Sequence, residues 1–402
     1  MIRQCVILVG GMGTRLGELT RSTPKPLMPI QGRPFLEYLL LEAARFGFTE
    51  IVLLAGYRGE VIAEQFSGVR RLAGRDVTIK VLVEPQALGT GGALVSLKEH
   101  AQDCFVLMNG DSWFDIDLRA FASARHLHEK ALVHIALREV HETGRFSPVQ
   151  VSEGWVSEFG VPANGAGRGL INAGIYVMRR DIIDMVDRVP CSLENDVFPV
   201  LASSGRISAN SYRGFFIDIG VPEDLAAAPE LISKARTRPA VFFDRDGVLN
   251  YDRGYTHKPA DLVWNDAAIE AVKSVNDAGW YAFVITNQAG VARGYYSERA
   301  VDLFHETMDV ELANSDAHID EFRFSPFHPE GRVEKYRVDS PCRKPKPGMI
   351  LELSKAWPID LSRSVVIGDK QSDMDAAHAA GVHGQLYSGG NLNDLTNRVL
   401  RS

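Results

Sequence analysis

Short apolar runs alternate with longer amphipathic stretches along the whole chain. A run bounded by Gly, Pro or Asp and too short for a helix reads as a buried strand. In the first part such runs are Cys5–Val9, Ile51–Ala55, Ile79–Val83, Phe105–Met108, Val133–Ala136 and Ile171–Val177, and the pattern closes near Phe215–Asp218. Pro34–Phe46 repeats its apolar residues with the helical period. A second pattern begins at Ala240, with predicted strands Ala240–Phe243, Tyr281–Ile285, Glu321–Ser325 and Ser364–Ile367 and predicted helices Ala267–Ala278 and Glu298–Leu312. Strand–helix alternation predicts an α/β class with parallel strands in both halves. Between the halves, Val221-Pro-Glu-Asp reads as a helix start, and the polar, basic stretch Lys234–Pro239 reads as a linker. The expected division is a domain over 1–233, a linker over 234–239 and a domain over 240–402.

Composition narrows the class. The chain has 402 residues, 45% hydrophobic and 24% charged, with a net charge of −7. That balance speaks against a nucleic-acid binder, which would carry a basic surplus. Anionic substrates would then depend on local basic clusters, cations and backbone N–H groups. Four scattered cysteines without a CxxC pair suggest neither a disulfide framework nor a zinc knuckle. The absence of a long apolar stretch argues for a cytoplasmic protein with no membrane partner. A homo-oligomer is compatible with the sequence.

Four signals in the second half carry chemistry. Val241-Phe-Phe-Asp244-Arg-Asp246-Gly delivers two aspartates to a strand tip. Thr286-Asn287-Gln288 follows an apolar strand, Arg343-Lys344-Pro-Lys346-Pro-Gly lies in a loop, and Gly368-Asp369-Lys370-Gln-Ser-Asp373 ends another strand. In a parallel sheet the strand-borne signals converge at one edge, where ligands bind. A carboxylate can attack phosphorus when a cation masks its charge, and a second can move the leaving-group proton. A hydroxyl, an amide and a lysine suit the transferring oxygens.

This half resembles the haloacid-dehalogenase (HAD) superfamily of phosphatases, and more closely the D-glycero-D-manno-heptose-1,7-bisphosphate phosphatases and their histidinol-phosphatase relatives. The resemblance rests on Phe243–Asn250, Gly254-Tyr255, Thr286-Asn-Gln, Gly290–Gly294, His328-Pro329, Cys342–Met349 and Gly368–Lys370. It implies a HAD-like Rossmannoid parallel sheet, with Asp244 as nucleophile and Asp246 as general acid and base. It implies that Thr286, Asn287 and Lys344 hold the phosphoryl group, that Arg343 and Gln288 meet the substrate, and that Mg2+ rests on Asp244, Asp369 and the Asp246 carbonyl. These relatives usually carry a zinc loop; here its places read Ser325-Pro-Phe327-His328-Pro and Ser340-Pro-Cys342, leaving one thiol, so no zinc is expected. His328 reads as a turn histidine.

The first half opens with Gly10-Gly11-Met-Gly13-Thr14-Arg15-Leu16, whose glycines admit phosphate oxygens to backbone N–H groups and whose arginine adds a forked donor. Leu16 stands where a dinucleotide fingerprint needs its last glycine, and no Gly-Lys-Ser/Thr follows. Pro24-Lys25-Pro26 stiffens a loop around a lysine, Leu88-Gly89-Thr-Gly91-Gly92 is a second close-approach loop, and Asp111 and Asp218 each end an apolar run.

With Asn172-Ala-Gly-Ile-Tyr176 and Ser192-Leu-Glu194-x-Asp196, these motifs resemble the sugar-1-phosphate nucleotidylyltransferases. The resemblance implies a Rossmann-like, GT-A-like mixed sheet. It implies nucleotide on Gly10, Gly11, Gly13, Thr14, Gly89 and Gly91, Arg15 and Lys25 on phosphates, Asn172 and Glu194 on the sugar, and Mg2+ on Asp111 and Asp218. Where such enzymes often carry a Glu-Lys pair, this chain reads Phe159-Gly-Val-Pro162, with Arg168 as a candidate replacement. Together the two resemblances imply consecutive steps: removal of the 7-phosphate from a heptose 1,7-bisphosphate, then coupling of heptose 1-phosphate to a nucleoside triphosphate, GTP being favoured. Two other assignments fit the same motifs: a phosphatase with a non-catalytic nucleotide- or sugar-binding module, and a mannose-1-phosphate guanylyltransferase fused to a phosphatase for another sugar phosphate.

Overall fold

The apolar runs predicted as strands lie in strands, with most ends shifted by at most two residues; Arg75–Val83 starts four residues earlier and Val133–Val140 ends four residues later than expected. The computed structural model describes residues 2–401 apart from 12, 21–22, 124–129, 142–146 and 161–167, with backbone alone at Thr14 and Leu19. Two compact units emerge, Met1–Ile232 and Ser233–Ser402.

The first unit is built on a ten-stranded sheet. From one edge the strands are Val149–Ser152, Trp155–Phe159, Ile207–Tyr212, Val133–Val140, Gly169–Arg179, Cys104–Asn109, Gln4–Leu8, Glu50–Ala55, Arg75–Val83 and Gly68–Leu72. The four strands Cys104–Asn109, Gln4–Leu8, Glu50–Ala55 and Arg75–Val83 pair in parallel. Gly169–Arg179 runs antiparallel to both its neighbours, so parallel pairing does not extend across this half. Beyond it Val133–Val140 and Ile207–Tyr212 pair in parallel again, so the sheet is mixed. Buried Phe105, Leu107, Tyr176, Met178 and Phe198 form the core beneath.

Two placements matter for function. Leu8 and Asn109 are register partners, so the loops that follow them leave the sheet at the same edge. A short antiparallel ribbon pairs Ser112–Phe114 with Phe216–Asp218, and its register sets Asp218 opposite Ser112, beside Asp111.

The helix Pro222–Arg236 runs through the unit boundary. The expected linker is therefore partly helix, and Arg238 is bridged to Ile359. Ile232 is buried on that helix, and Lys234 and Arg236 sit in its last turn, where cations suit the helix dipole.

The second unit holds a five-stranded parallel sheet in the order Glu321–Ser325, Tyr281–Asn287, Ala240–Phe243, Val365–Gly368, His383–Leu386. Its three central strands are buried on both faces, as parallel strands covered by helices must be. The helix Ala268–Asp277 follows a left-handed Ala267, and Glu298–Ala313 is capped by Ser297. Among the described residues, no helix is long and apolar enough to cross a membrane.

Candidate active sites

The first site gathers at the sheet edge beyond Leu8 and Asn109. A cavity of about 330 Å³ is lined by Gly13, Arg15, Lys25, Asp111, Asn172, Glu194 and Asp218, among others. Lys25 is buried, and its Nζ lies 2.6 Å from Asp111 Oδ2 and 3.5 Å from Asp218 Oδ1. Burial and the neighbouring Asp111 push the Asp218 carboxyl up, while Lys25 and the Gly220 N–H pull it down. Two carboxylates converging from separate strands are a donor set suited to a divalent cation.

Glu194 accepts hydrogen bonds on Oε2 from the Thr90 and Ser192 hydroxyls, at 2.7 and 3.1 Å. Asn172 is fixed by the Tyr176 hydroxyl at 2.7 Å and the Gly174 N–H at 3.1 Å.

Not every expected residue meets the cavity. Gly10 packs against Gly56; a Cβ at Gly89 would stand where the Cys191 backbone passes, and one at Gly91 would meet the Cys191 sulfur. The close approach at Gly89 and Gly91 is thus made by the chain itself. Gly11 is open to solvent on its Cβ side. The Thr14 side chain lies outside the described residues, as do Val161 and Pro162. Arg168 pairs with Glu139 at 3.2 Å at an exposed position. Sequence reasoning missed Glu84. Its carboxyl is raised by burial and takes the Leu88 N–H at 3.3 Å, beside Gly10 and Gly56. Its position directly after a strand tip was the available signal.

The second site forms at the C-terminal edge of the parallel sheet. Asp244 leaves the strand Ala240–Phe243 with its N–H on Ile367 O. Its Oδ1 receives Lys344 Nζ at 2.8 Å and the Arg245 N–H at 2.7 Å. Lys344 also reaches Asp373 Oδ1 at 2.6 Å and donates to Ile285 O at 2.8 Å. Burial pushes the Asp244 carboxyl up to about 6 against the pull of Lys344. Lys344 itself is raised: burial opposes its charge, but Asp244 and Asp373 outweigh that.

Asp244, Asp369 and Asp373 each offer an oxygen within 4.8 Å of the others. Asp369 Oδ1 is buried with no hydrogen-bond partner, and Gly247, at φ 91°, leaves open the space beside the Asp369 carboxylate that a Cβ would fill. An orphaned carboxylate oxygen in such a cradle fits a hard divalent cation.

Around Asp246 the donors are dense. Arg245, wholly buried, forks onto both carboxylate oxygens at 2.8–3.0 Å, Asn250 adds a bond to Oδ1 at 3.1 Å, and Gln288 adds one to Oδ2 at 2.8 Å. Two expectations shift here. Gln288 is buried, and its amide bonds Asp246, Thr286 and Tyr296 rather than facing a substrate. Asn287 spends its amide on the backbone of Lys344, donating to the carbonyl at 3.0 Å and accepting the N–H at 3.1 Å. It fixes the lysine loop. Arg245, Asn250 and Asp373 belong to the motifs without an expected role; a charged residue at a buried strand tip is the signal that marks Arg245.

At the former zinc-loop positions, Cys342 donates to Glu352 at 2.8 Å and its thiol is pushed up to about 11 by burial and that carboxylate. His328 Nδ1 accepts the Glu330 N–H at 3.1 Å, as a turn histidine does. The loop is tied by His328 N to Tyr336 O at 3.1 Å and Arg337 Nε to Gly331 O at 2.7 Å.

A lysine between two carboxylates beside a glycine loop, and a strand-tip aspartate on a parallel sheet, define two kinds of phosphoryl chemistry in one chain. The chain belongs to the nucleotidyl transferase family, whose model matches residues 4–234, and the HAD-hydrolase-like family model matches residues 341–398. It is similar to the D-glycero-beta-D-manno-heptose-1,7-bisphosphate 7-phosphatase of Rhodopseudomonas palustris, 46% identical over 170 residues, which are 42% of this chain and 94% of that one. The Escherichia coli K12 protein of the same name is 41% identical over 148 residues, 37% of this chain and 78% of its own. Among solved structures, HddC from Yersinia pseudotuberculosis superposes with a TM-score of 0.50 at 28% identity, over 57% of this chain and 100% of HddC, and it has also been solved with GMP-PN. The protein is thus a fusion of a nucleotidyltransferase with a HAD-type phosphatase.

Proposed function

We propose that the second unit removes the 7-phosphate of D-glycero-D-manno-heptose 1,7-bisphosphate and that the first unit transfers GMP from GTP to the resulting heptose 1-phosphate, with pyrophosphate as by-product. The observation that carries the bisphosphate reading is a pair of guanidiniums. Arg343, next in sequence to Lys344, is half-buried, and both burial and the nearby Arg293 push it down. Among the described residues no carboxylate pairs with either arginine. Two like charges held together beside a phosphoryl site call for an anion, which a second phosphate supplies. The GTP reading draws on HddC, and the heptose reading on the named phosphatases.

In the phosphatase site, Lys344 and the Arg245 N–H occupy Asp244 Oδ1, which leaves Oδ2 for attack on phosphorus. The P–O7 bond breaks as an aspartyl phosphate forms, and Asp246 gives its proton to the departing O7. Asp246 then takes a proton from the water that attacks the aspartyl phosphate, releasing inorganic phosphate and restoring Asp244. Lys344 and Thr286 stabilise the transferring oxygens. In the transferase site the sugar phosphate attacks the α-phosphorus directly, and Lys25 and Arg15 neutralise the charge that builds on the departing pyrophosphate. Mg2+ ions held by Asp244, Asp369 and the Asp246 carbonyl, and by Asp111 and Asp218, would offset phosphate charge in the two sites. These substrates place the reaction in the cytoplasm.

Phosphorus NMR of the protein with Mg2+, the bisphosphate and GTP tests this. Loss of one phosphate followed by a new pyrophosphate diester is expected. Asp244→Asn should abolish phosphate release and spare transfer to supplied heptose 1-phosphate; Asp111→Asn should do the reverse. A diester formed only with ATP, CTP or UTP, or only from mannose 1-phosphate, would replace the substrate assignment. Phosphate release with no diester under any nucleotide would refute the transfer step.

A further inference from the structure

Behind the phosphatase site, Tyr296 Oη lies 2.8 Å from Gln288 Oε1. Gln288 Nε2 lies 2.8 Å from Asp246 Oδ2 and 2.9 Å from Thr286 Oγ1. The directions of these bonds are forced. Once its proton has gone to the leaving group, Asp246 only accepts, so the amide nitrogen then faces it. The amide oxygen then faces Tyr296, which must donate. The nitrogen's other proton goes to Thr286 Oγ1, so that hydroxyl is an acceptor there and keeps its own proton for a different partner.

We propose that Tyr296 is a positioning residue of the phosphatase: its hydroxyl locks the Gln288 amide with nitrogen toward Asp246 and Thr286, and so aims the Thr286 hydroxyl proton at the transferring phosphoryl group. While Asp246 still carries the proton for the leaving group it can meet either end of the amide, so without the Tyr296 donor a flipped Gln288 would set its oxygen against Asp246 and Thr286. The surroundings are built for the ring. Gly290 lacks the Cβ that would overlap it, and the imidazole of His257 stacks on it at 4.2 Å with planes 15° apart. The His257 ring is itself oriented by its Nδ1–H, which donates to Tyr255 O at 2.7 Å. Burial pushes the Tyr296 phenol up to about 12, so it stays protonated as a donor at neutral pH.

The inference rests on the phosphatase reading, and the test separates the two. Tyr296→Phe removes one oxygen and keeps the ring, its stack on His257 and its fit over Gly290. With the bisphosphate as substrate, kcat should fall about tenfold with KM within about twofold, because the lost orientation acts on the transition state more than on binding. Inhibition by orthovanadate, which takes the geometry of the transferring group on an aspartate, should weaken by the same factor as kcat. Gln288→Glu should lower kcat too, and the double variant should lose less than the product of the two, since both act through one amide. A Phe variant with wild-type kcat, alongside a Tyr296→Leu variant that loses activity, would show that only the ring matters and overturn the proposal. A wild-type protein that releases no phosphate would instead overturn the phosphatase reading.

Discussion

Both units place a lysine between two carboxylates, yet the two centres differ in how far they are closed to water. Lys25 meets carboxylates that keep 36% and 26% of their side-chain surface exposed, and it lines an open cavity. Lys344 meets carboxylates only 8% and 1% exposed and is further tied to a backbone carbonyl. The proposed chemistry accounts for the contrast. A direct transfer between two bound substrates needs room for both, and the protein supplies position and charge. A carboxylate that must itself attack phosphorus is served by a dry setting, where the fixed lysine acts with less screening. The closed centre cannot lose Lys344 without stranding buried charge.

The sharpest way to break this comparison is to remove each lysine. Lys344→Met should destabilise the second unit by about 3–5 kcal/mol, since two buried carboxylates lose their counter-charge. Lys25→Met should cost about 1 kcal/mol or less, as solvated pairs do, while still slowing nucleotidyl transfer. Denaturant titration of both variants measures this, and equal losses would mean that burial does not distinguish the centres.

A smaller effect concerns pH. With chelator present, Asp244 has a folded pKa of about 6, above its unfolded value, so the folded state binds more protons in between. Its contribution is therefore favourable below the unfolded pKa and is lost as pH rises through about 6, by roughly 1.4 kcal/mol per unit of displacement. The stability of wild type relative to Asp244→Asn should fall over that window. Parallel curves for the two proteins would contradict it.

The smallest expected change is in thermal stability on metal removal. EDTA should stop both reactions, because both carboxylate pairs are proposed to work with Mg2+, and lower the unfolding midpoint of the second unit only by what the loss of bound Mg2+ removes. Its former zinc loop is tied by hydrogen bonds and retains a high-pKa thiol, a poor ligand. Metal analysis should find well below one zinc per chain; stoichiometric zinc would overturn this.

Much of the second site was readable because its parts end consecutive parallel strands. Asp244, Thr286 and Asp369 each follow an apolar run, and the parallel register carries them to one edge without further information. Sequence neighbours point Asn287 to the phosphoryl group and Gln288 to substrate; only side-chain packing shows that the Gln288 amide faces Asp246 and the Asn287 amide the Lys344 backbone. In the first unit, the glycines of the second loop read as ligand contacts because a missing Cβ looks the same from sequence whether a phosphate or the Cys191 backbone fills the space.

The α/β class, most strand positions, the order of the motifs and the kind of chemistry they carry are legible in the chain, since each depends on local period and residue type. Tertiary structure alone decided which strands turn antiparallel and that Lys25 bridges carboxylates 86 and 193 residues away. It also decided that Tyr296 stands behind Asp246. Those facts depend on pairings between segments distant along the chain, chosen by the packing of the whole fold rather than by any short stretch of it.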